Sequence, residues 1–300
     1  MAERIVFYDQ IARNKRNSIF LIIGILAVLM LFGYIVGIVM GPDYFTIIMI
    51  LSIIISIIYV WAGYYYSDKL ALASVNAKEA DHIRHRQLYN SVESMSLASG
   101  LPMPKVYVMN DPNINAFATG RNPKNAVICV TTGAMEKLDK EELEGVIAHE
   151  MSHVSNYDIR FMTLVAVLVG MIAIISEIFL RSLWLKGDGD SDNKAGLIFM
   201  IVGIVLAILA PIVVSLVQLA ISRKREYTAD ATAVKFTRAP TGLIDALKKI
   251  KRENEPEQKG RINKAVAPLF ISNPFDTSKV KNLFSTHPPL EERIKVLEKM

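Results

Sequence analysis

His149-Glu150-Met151-Ser152-His153 sets two imidazoles four residues apart, with a carboxylate directly after the first. On a helix of 3.6 residues per turn, positions four apart lie about 40° apart on one face, so both rings can reach one ion. Glu150 stands roughly 100° round from His149, where it misses direct ligation but can take a proton from a water on that ion. This is the H-E-x-x-H pattern of zinc hydrolysis, in which zinc lowers the pKa of a water toward about 7 and a carboxylate accepts its proton. Five residues of this kind also arise by chance on ordinary helices, so their surroundings decide. Asp139 can cap the helix with Glu142 three residues on, and Leu143, Val146, Ile147 and Val154 supply an apolar face.

A hydrolytic zinc needs a third protein ligand and an open fourth position. Glu226 is the candidate ligand, and Asp230, one turn beyond on the same face, can accept the outer N–H of a ligating histidine, His149 being the expected partner. Alone, these two acids beside Arg223, Lys224 and Arg225 would read as a solvated face; the need for a third ligand favours the site. His82 and His85 also have a ligand-like spacing, but they sit among Asp81, Arg84, Arg86 and Gln87, with no further ligand implied.

The elements that must position these residues include membrane spans. Fifty-two per cent of the 300 residues are hydrophobic, too many for an ordinary soluble domain. The expected fold is a mainly α membrane protein, with four transmembrane helices and a cytoplasmic α+β metalloprotease domain. Spans are expected at 18–40, 44–66, 161–180 and 195–221, each near or above the roughly 20 residues a bilayer requires. Glu177 should snorkel to the headgroups and Pro211 should kink the fourth span. Gly33, Gly37 and Gly41 recur every fourth residue, a spacing that suits close packing of the first two spans on each other, dimerisation being the competing reading. Arg4, Arg13, Lys15 and Arg16 precede the first span and Arg223, Lys224 and Arg225 follow the fourth, which places both termini in the cytoplasm. The first apolar stretch exceeds the h-region of a cleaved signal peptide.

The chain then divides into an N-terminal segment and hairpin (1–66), a cytoplasmic catalytic part (67–160), a second hairpin (161–221) and a second catalytic part (222–300). In the soluble parts, Ala77 to Ser99 reads as a helix ended by Gly100, Val106 to Met109 and Ala126 to Thr131 as strands, and Asn113 to Asn125 as turn-rich. Helices are expected over Thr241 to Lys251 and Leu290 to Lys299. The net charge of +5 forms no long basic stripe, which argues against a nucleic-acid partner. The single cysteine, Cys129, excludes an intramolecular disulfide.

With these blocks in order, the chain resembles the HtpX-type membrane-bound zinc metalloproteases, relatives of the CAAX prenyl endopeptidases. The resemblance rests on His149-Glu150-x-x-His153 with Asn156 and Asp158, on Ser222-Arg223-x-x-Glu226-Tyr227-x-Ala229-Asp230, and on Asn115-Ala116-Phe117-Ala118-Thr119-Gly120. It rests also on Ser285-Thr286-His287-Pro288-Pro289, with Arg293 six residues after the histidine, and on two spans between the motif and Glu226. It implies a gluzincin-like site holding one Zn2+ per chain, with Glu226 as third ligand. It further implies endopeptidase activity on misfolded or damaged membrane proteins, at a bacterial cytoplasmic membrane. From the same pattern, Asn115, Ala116 and Phe117 lead into a cleft wall where a substrate strand pairs, a plain turn being the competing reading. His287 would stabilise the oxyanion, with Arg293 holding it or the substrate, while a simple helix start before Leu290 competes for that motif.

An intramembrane protease would keep its motif inside an apolar span, yet Lys140, Glu141, Glu142 and Glu144 precede this one. A non-proteolytic scaffold with structural zinc would favour four closed Cys or His ligands, and a transporter would need more ionisable groups within its spans.

Overall fold

Charge-free apolar sequence on either side of a Gly-Pro turn folds into a helical hairpin, α1 (Phe7–Met40) and α2 (Pro42–Tyr65). Gly41 turns the chain at φ 98°, and Pro42 starts α2, where its missing N–H leaves no bond unmade. The expected close packing is present: a Cβ on Gly33 would overlap the Ser52 hydroxyl, and one on Gly37 would come within 3.0 Å of the Phe45 ring. Both helices are long and apolar enough to cross a membrane, and Ile47, Ile54 and Ile58 project outward uncovered. The structure, a computed structural model, describes residues 7–168, 170, 203, 223–253, 269–271 and 288–300. Most of the expected third span and nearly all of the fourth, with Glu177 and Pro211, lie outside the described residues. The described start of the third, helix α7 at 158–168, packs on α2: Tyr59 donates a hydrogen bond to the Val167 carbonyl (2.9 Å), and Gly63 admits the Val167 side chain.

After α2, a short helix α3 (Ser67–Ser74) leads into a four-stranded sheet. Its strands are β1 (Lys78–Glu79), β2 (Lys105–Met109), β3 (Ala116–Gly120) and β4 (Ala126–Thr131), in the spatial order β1-β2-β4-β3. β2 and β4 run parallel; the outer pairs are antiparallel.

Two sequence expectations need correction here. The helix expected from Ala77 begins only at Arg86, as α4 (Arg86–Ser99), because residues 78–79 pair with β2 and Asp81 forms a turn, accepting from the N–H groups of Ile83 and Arg84. Within the segment read as turns, Ala116–Gly120 is a fully buried strand. Phe117 and Thr119 favour a strand but Ala116, Ala118 and Gly120 do not, and pairing with β4 along the whole segment decides the outcome.

Helix α5 (Thr132–Lys137) connects the sheet to the motif helix α6 (Lys140–Ser155). The capping box is formed: the Asp139 carboxylate accepts from the Glu142 N–H (2.9 Å) and Glu142 from the Asp139 N–H (2.8 Å). Leu143, Val146, Ile147 and Val154 are buried, and α6 is enclosed by the sheet, α4, α8 (Arg223–Thr237) and α9 (Thr241–Glu253). α9 approaches so closely that a Cβ on Gly145 would lie 2.5 Å from the Leu243 nitrogen. The last helix, α10 (Leu290–Leu297), packs on α8 and α9.

Gly145→Val should overpack this contact, at a cost of about 1–3 kcal/mol. Thermal unfolding in detergent should show a midpoint several degrees lower, with Ala98→Val on the exposed side of α4 as control. Equal midpoints would mean that α6 and α9 are not tightly apposed.

Candidate metal centre

His149 and His153 lie one turn apart on α6, and α8 brings Glu226 against them. All three are buried, and among the described residues their donor atoms form a set within 4.8 Å of one another. The two Nε2 atoms are 3.3 Å apart, and each lies 3.6 Å from a Glu226 oxygen. A tetrahedral zinc with bonds of about 2.0–2.1 Å separates neighbouring ligand atoms by roughly 3.4 Å, so the donor set fits that ion in type and spacing.

The other ring nitrogen of each histidine faces a carboxylate. Asp230 Oδ1 is 3.0 Å from His149 Nδ1, and Asp158 Oδ2 is 3.1 Å from His153 Nδ1. Each Nδ1 thereby faces an acceptor, the arrangement in which Nε2 is the nitrogen left to face an ion at the centre. Asp230 is the residue expected to face His149. For Asp158 the sequence pattern implies no role of its own. Periodicity could not place it, because α6 ends at Asn156 and Tyr157 takes the left-handed conformation (φ 59°) that turns the chain back.

Both carboxylates are fully buried and strongly partnered. Arg293 grips Asp230 with a fork, Nε at 2.9 Å and Nη2 at 2.6 Å. Asp158 accepts from Asn14 of α1 (2.6 Å) and faces Arg225 Nε at 3.2 Å. Asn14 also donates to the Asn156 carbonyl (2.9 Å). Burial raises the Asp230 carboxyl, but Arg293 and His149 outweigh it and hold it at about 2. Burial and Arg293 push the His149 imidazole down, yet the carboxylates of Asp230 and Glu226 raise it to about 9. Two carboxylates pulling on one buried ring make a centre suited to positive charge.

Glu150 is buried on the β3 side, where the Ala118 N–H donates to its carboxylate. Burial raises its pKa, against the pull of the two imidazoles. A carboxylate with affinity for a proton in this place is equipped as a general base. Asn115, Ala116 and Phe117 are also buried, and the outward edge of β3 carries its own chain: the Ile271 N–H donates to the Ala116 carbonyl (2.9 Å), and Phe270 stacks edge-on against Phe117.

Arg293, expected on His287 or on substrate, is placed on Asp230, with its Nη1 donating to the Ile271 carbonyl (3.3 Å). His287 lies outside the described residues. His82 stacks on Tyr89 and the His85 ring accepts from the Asp81 N–H, both away from the centre.

Asp158→Asn should leave His153 without its anionic partner. Zinc affinity, read by competition with a chromogenic chelator, is expected to fall about 10–100-fold. Unchanged affinity would show that Asp158 does not hold the ring.

The comparisons with known proteins agree with this geometry. The model of peptidase family M48 matches residues 82–300. The "Protease HtpX homolog" of Caldanaerobacter subterraneus subsp. tengcongensis is 46% identical, with 98% of this chain and 97% of the relative covered. Its namesakes in Thermoanaerobacter pseudethanolicus and Streptococcus uberis are 43% and 39% identical over 99% and 98% of this chain, and 99% and 100% of theirs. The crystal structure of S. mikatae Ste24p superposes with a TM-score of 0.53 at 19% identity over 95% of this chain, which spans 65% of that protein. That likeness shows a shared fold. On the match over residues 82–300 and the near full-length identities, this chain belongs to peptidase family M48.

Proposed function

We propose that the chain holds one Zn2+ through His149, His153 and Glu226 and cleaves internal peptide bonds of misfolded or damaged membrane proteins, at the cytoplasmic face of the membrane. Family membership already makes it a membrane-bound zinc metallopeptidase acting on polypeptides. The observation that carries the finer reading is the convergence of two Nε2 atoms and a carboxylate, with each Nδ1 held by its own aspartate. Zinc held there supplies a Lewis acid that acidifies a water and polarises a carbonyl. Glu150 takes the proton of the attacking water and delivers it to the leaving amine nitrogen. The Ala118 N–H orients the Glu150 carboxylate for both transfers. Asp230 and Asp158 keep the two imidazoles in their ligating tautomer, and Arg293 fixes Asp230.

A substrate strand lies along the outward edge of β3, taking the Ala116 carbonyl where Ile271 now donates. His287, near in sequence to α10, is assigned the oxyanion. The catalytic parts 67–160 and 222–300 flank the second hairpin, so four spans put both parts on one side of the bilayer. A scaffold with structural zinc is disfavoured, because three ligands leave a position open beside a buried base.

Glu150→Gln should lower the cleavage rate of a membrane-protein substrate by on the order of 10²–10⁴-fold while bound zinc stays at the wild-type level. Wild-type-like cleavage by that variant would sink the mechanism. For the topology, a reporter fused after Lys186 should read as outside the cytoplasm; a cytoplasmic signal there would overturn the four-span arrangement.

A further inference from the structure

A cavity of about 810 Å³ opens at the C-terminal end of α6, lined there by Ser155, Tyr157 and Arg160 and by none of the residues of the candidate metal centre. Four basic side chains line it, Lys15 of α1, Lys124 after β3, Arg160 of α7 and Lys235 of α8, and no acid does. Among the described residues, none of the four has a carboxylate within ion-pair distance. Concentrating four cations in one recess without counter-charge costs free energy through mutual repulsion, which an anion would relieve. The recess is also built. Tyr157, in its left-handed conformation, places its ring between Lys15 (4.2 Å from the centroid) and Arg160 (5.3 Å), and Arg160 is anchored by donating to the Arg121 carbonyl (2.9 Å).

Its level relative to the bilayer follows from the helices that end there. Lys15 lies three residues before the charge-free stretch of α1, and Arg160 directly precedes the apolar run of α7. Arg160 and Arg121 lie over the rings of Tyr64 and Tyr65 at the end of α2. The polar ends of three apolar helices therefore meet here, beside tyrosines of the kind that sit at headgroups. A second cavity, almost wholly apolar and about 310 Å³, lies between α1 and α2 and shares Tyr64 and Tyr65 with this level. Ile22 and Leu26, which line it, are seven and eleven residues after Lys15 and so fall on the same face of α1. Arg160 of the recess lies over the ring of Tyr64 of the groove, and a basic recess beside an apolar groove along one face of α1 matches a charged head on a hydrocarbon tail.

We propose that this recess binds the phosphate of an anionic phospholipid headgroup, with an acyl chain in the groove between α1 and α2. The same phosphate chemistry could come from a free anion, and the groove favours the lipid. The test uses the full chain purified in neutral detergent and mixed with phosphatidylcholine alone or with added phosphatidylglycerol, the retained lipid per chain being read by native mass spectrometry. Wild type should retain phosphatidylglycerol over phosphatidylcholine, and so should a control carrying Lys105→Ala, Lys140→Ala and Lys299→Ala. Each cation near an anionic headgroup contributes about fivefold, so Lys15→Ala, Lys124→Ala and Lys235→Ala together should lower retention by more than tenfold. The single exposed change Lys235→Glu keeps the test open if the triple variant unfolds, and should also weaken retention. Equal retention by pocket and control variants would overturn the proposal, as would equal retention of the two lipids. Displacement of phosphatidylglycerol by millimolar inorganic phosphate would assign the recess to a free anion, and displacement by an acidic peptide would assign it to a polypeptide; either result overturns the lipid.

Discussion

Two fully buried aspartates, each facing the outer nitrogen of an imidazole of the candidate metal centre, are the constraint that organises this molecule. A carboxylate out of reach of water is tolerated only when cations and hydrogen-bond donors surround it. Asp230 obtains them from Arg293 of α10 and His149, and Asp158 from Arg225 of α8, Asn14 of α1 and His153. The start, middle and end of the chain are thereby drawn to one helix, α6. Removing one partner leaves a buried charge uncompensated, with a penalty of about 3–5 kcal/mol in comparable cases, so the assembly tolerates little drift.

The same constraint explains why two stretches separated by some sixty residues pack together as one body. α6 supplies both rings but no partner for either, and α8 supplies Arg225 and Glu226 on one turn and Asp230 on the next. Gly145 and Gly242 let α9 lie backbone to backbone against α6, and Lys249 closes the contact on the capping residue Glu142 at 2.6 Å. On the other flank the sheet sets β3 beside Glu150, so the base and the strand edge are held in one arrangement.

The apolar hairpin and the candidate metal centre are also joined without a linker. Asn14, which holds Asp158, precedes Ser18 by four residues, about 6 Å along α1, and Ser18 begins the charge-free stretch. Tyr59 and Gly63 of α2 fasten α7 two turns after Asp158 and onward. The centre therefore lies close to the start of the charge-free stretch of α1, and a displacement of α1 would be felt at His153 through two hydrogen bonds.

What the sequence alone determined was whatever depends on neighbours along the chain. Helical spacing brought His149 and His153 onto one face, Asp139 and Glu142 announced the capping box, and uninterrupted apolar runs marked α1 and α2. Glu226 and Asp230 could be named because the chemistry of a hydrolytic ion demands a third ligand and a partner for the ring. Local pattern failed where distant groups decide the outcome. β3 is a strand because β4 pairs with it, although Ala116, Ala118 and Gly120 carry no strand signal. The helix expected from Ala77 yields to pairing with β2. Asp158 lies beyond a left-handed residue that ends the 3.6-residue period, and Asn14 lies 144 residues away from it, on a helix that reads as membrane anchor. Burial of a charge is a property of the whole fold, and so only the tertiary structure could decide which polar residues were summoned to satisfy it.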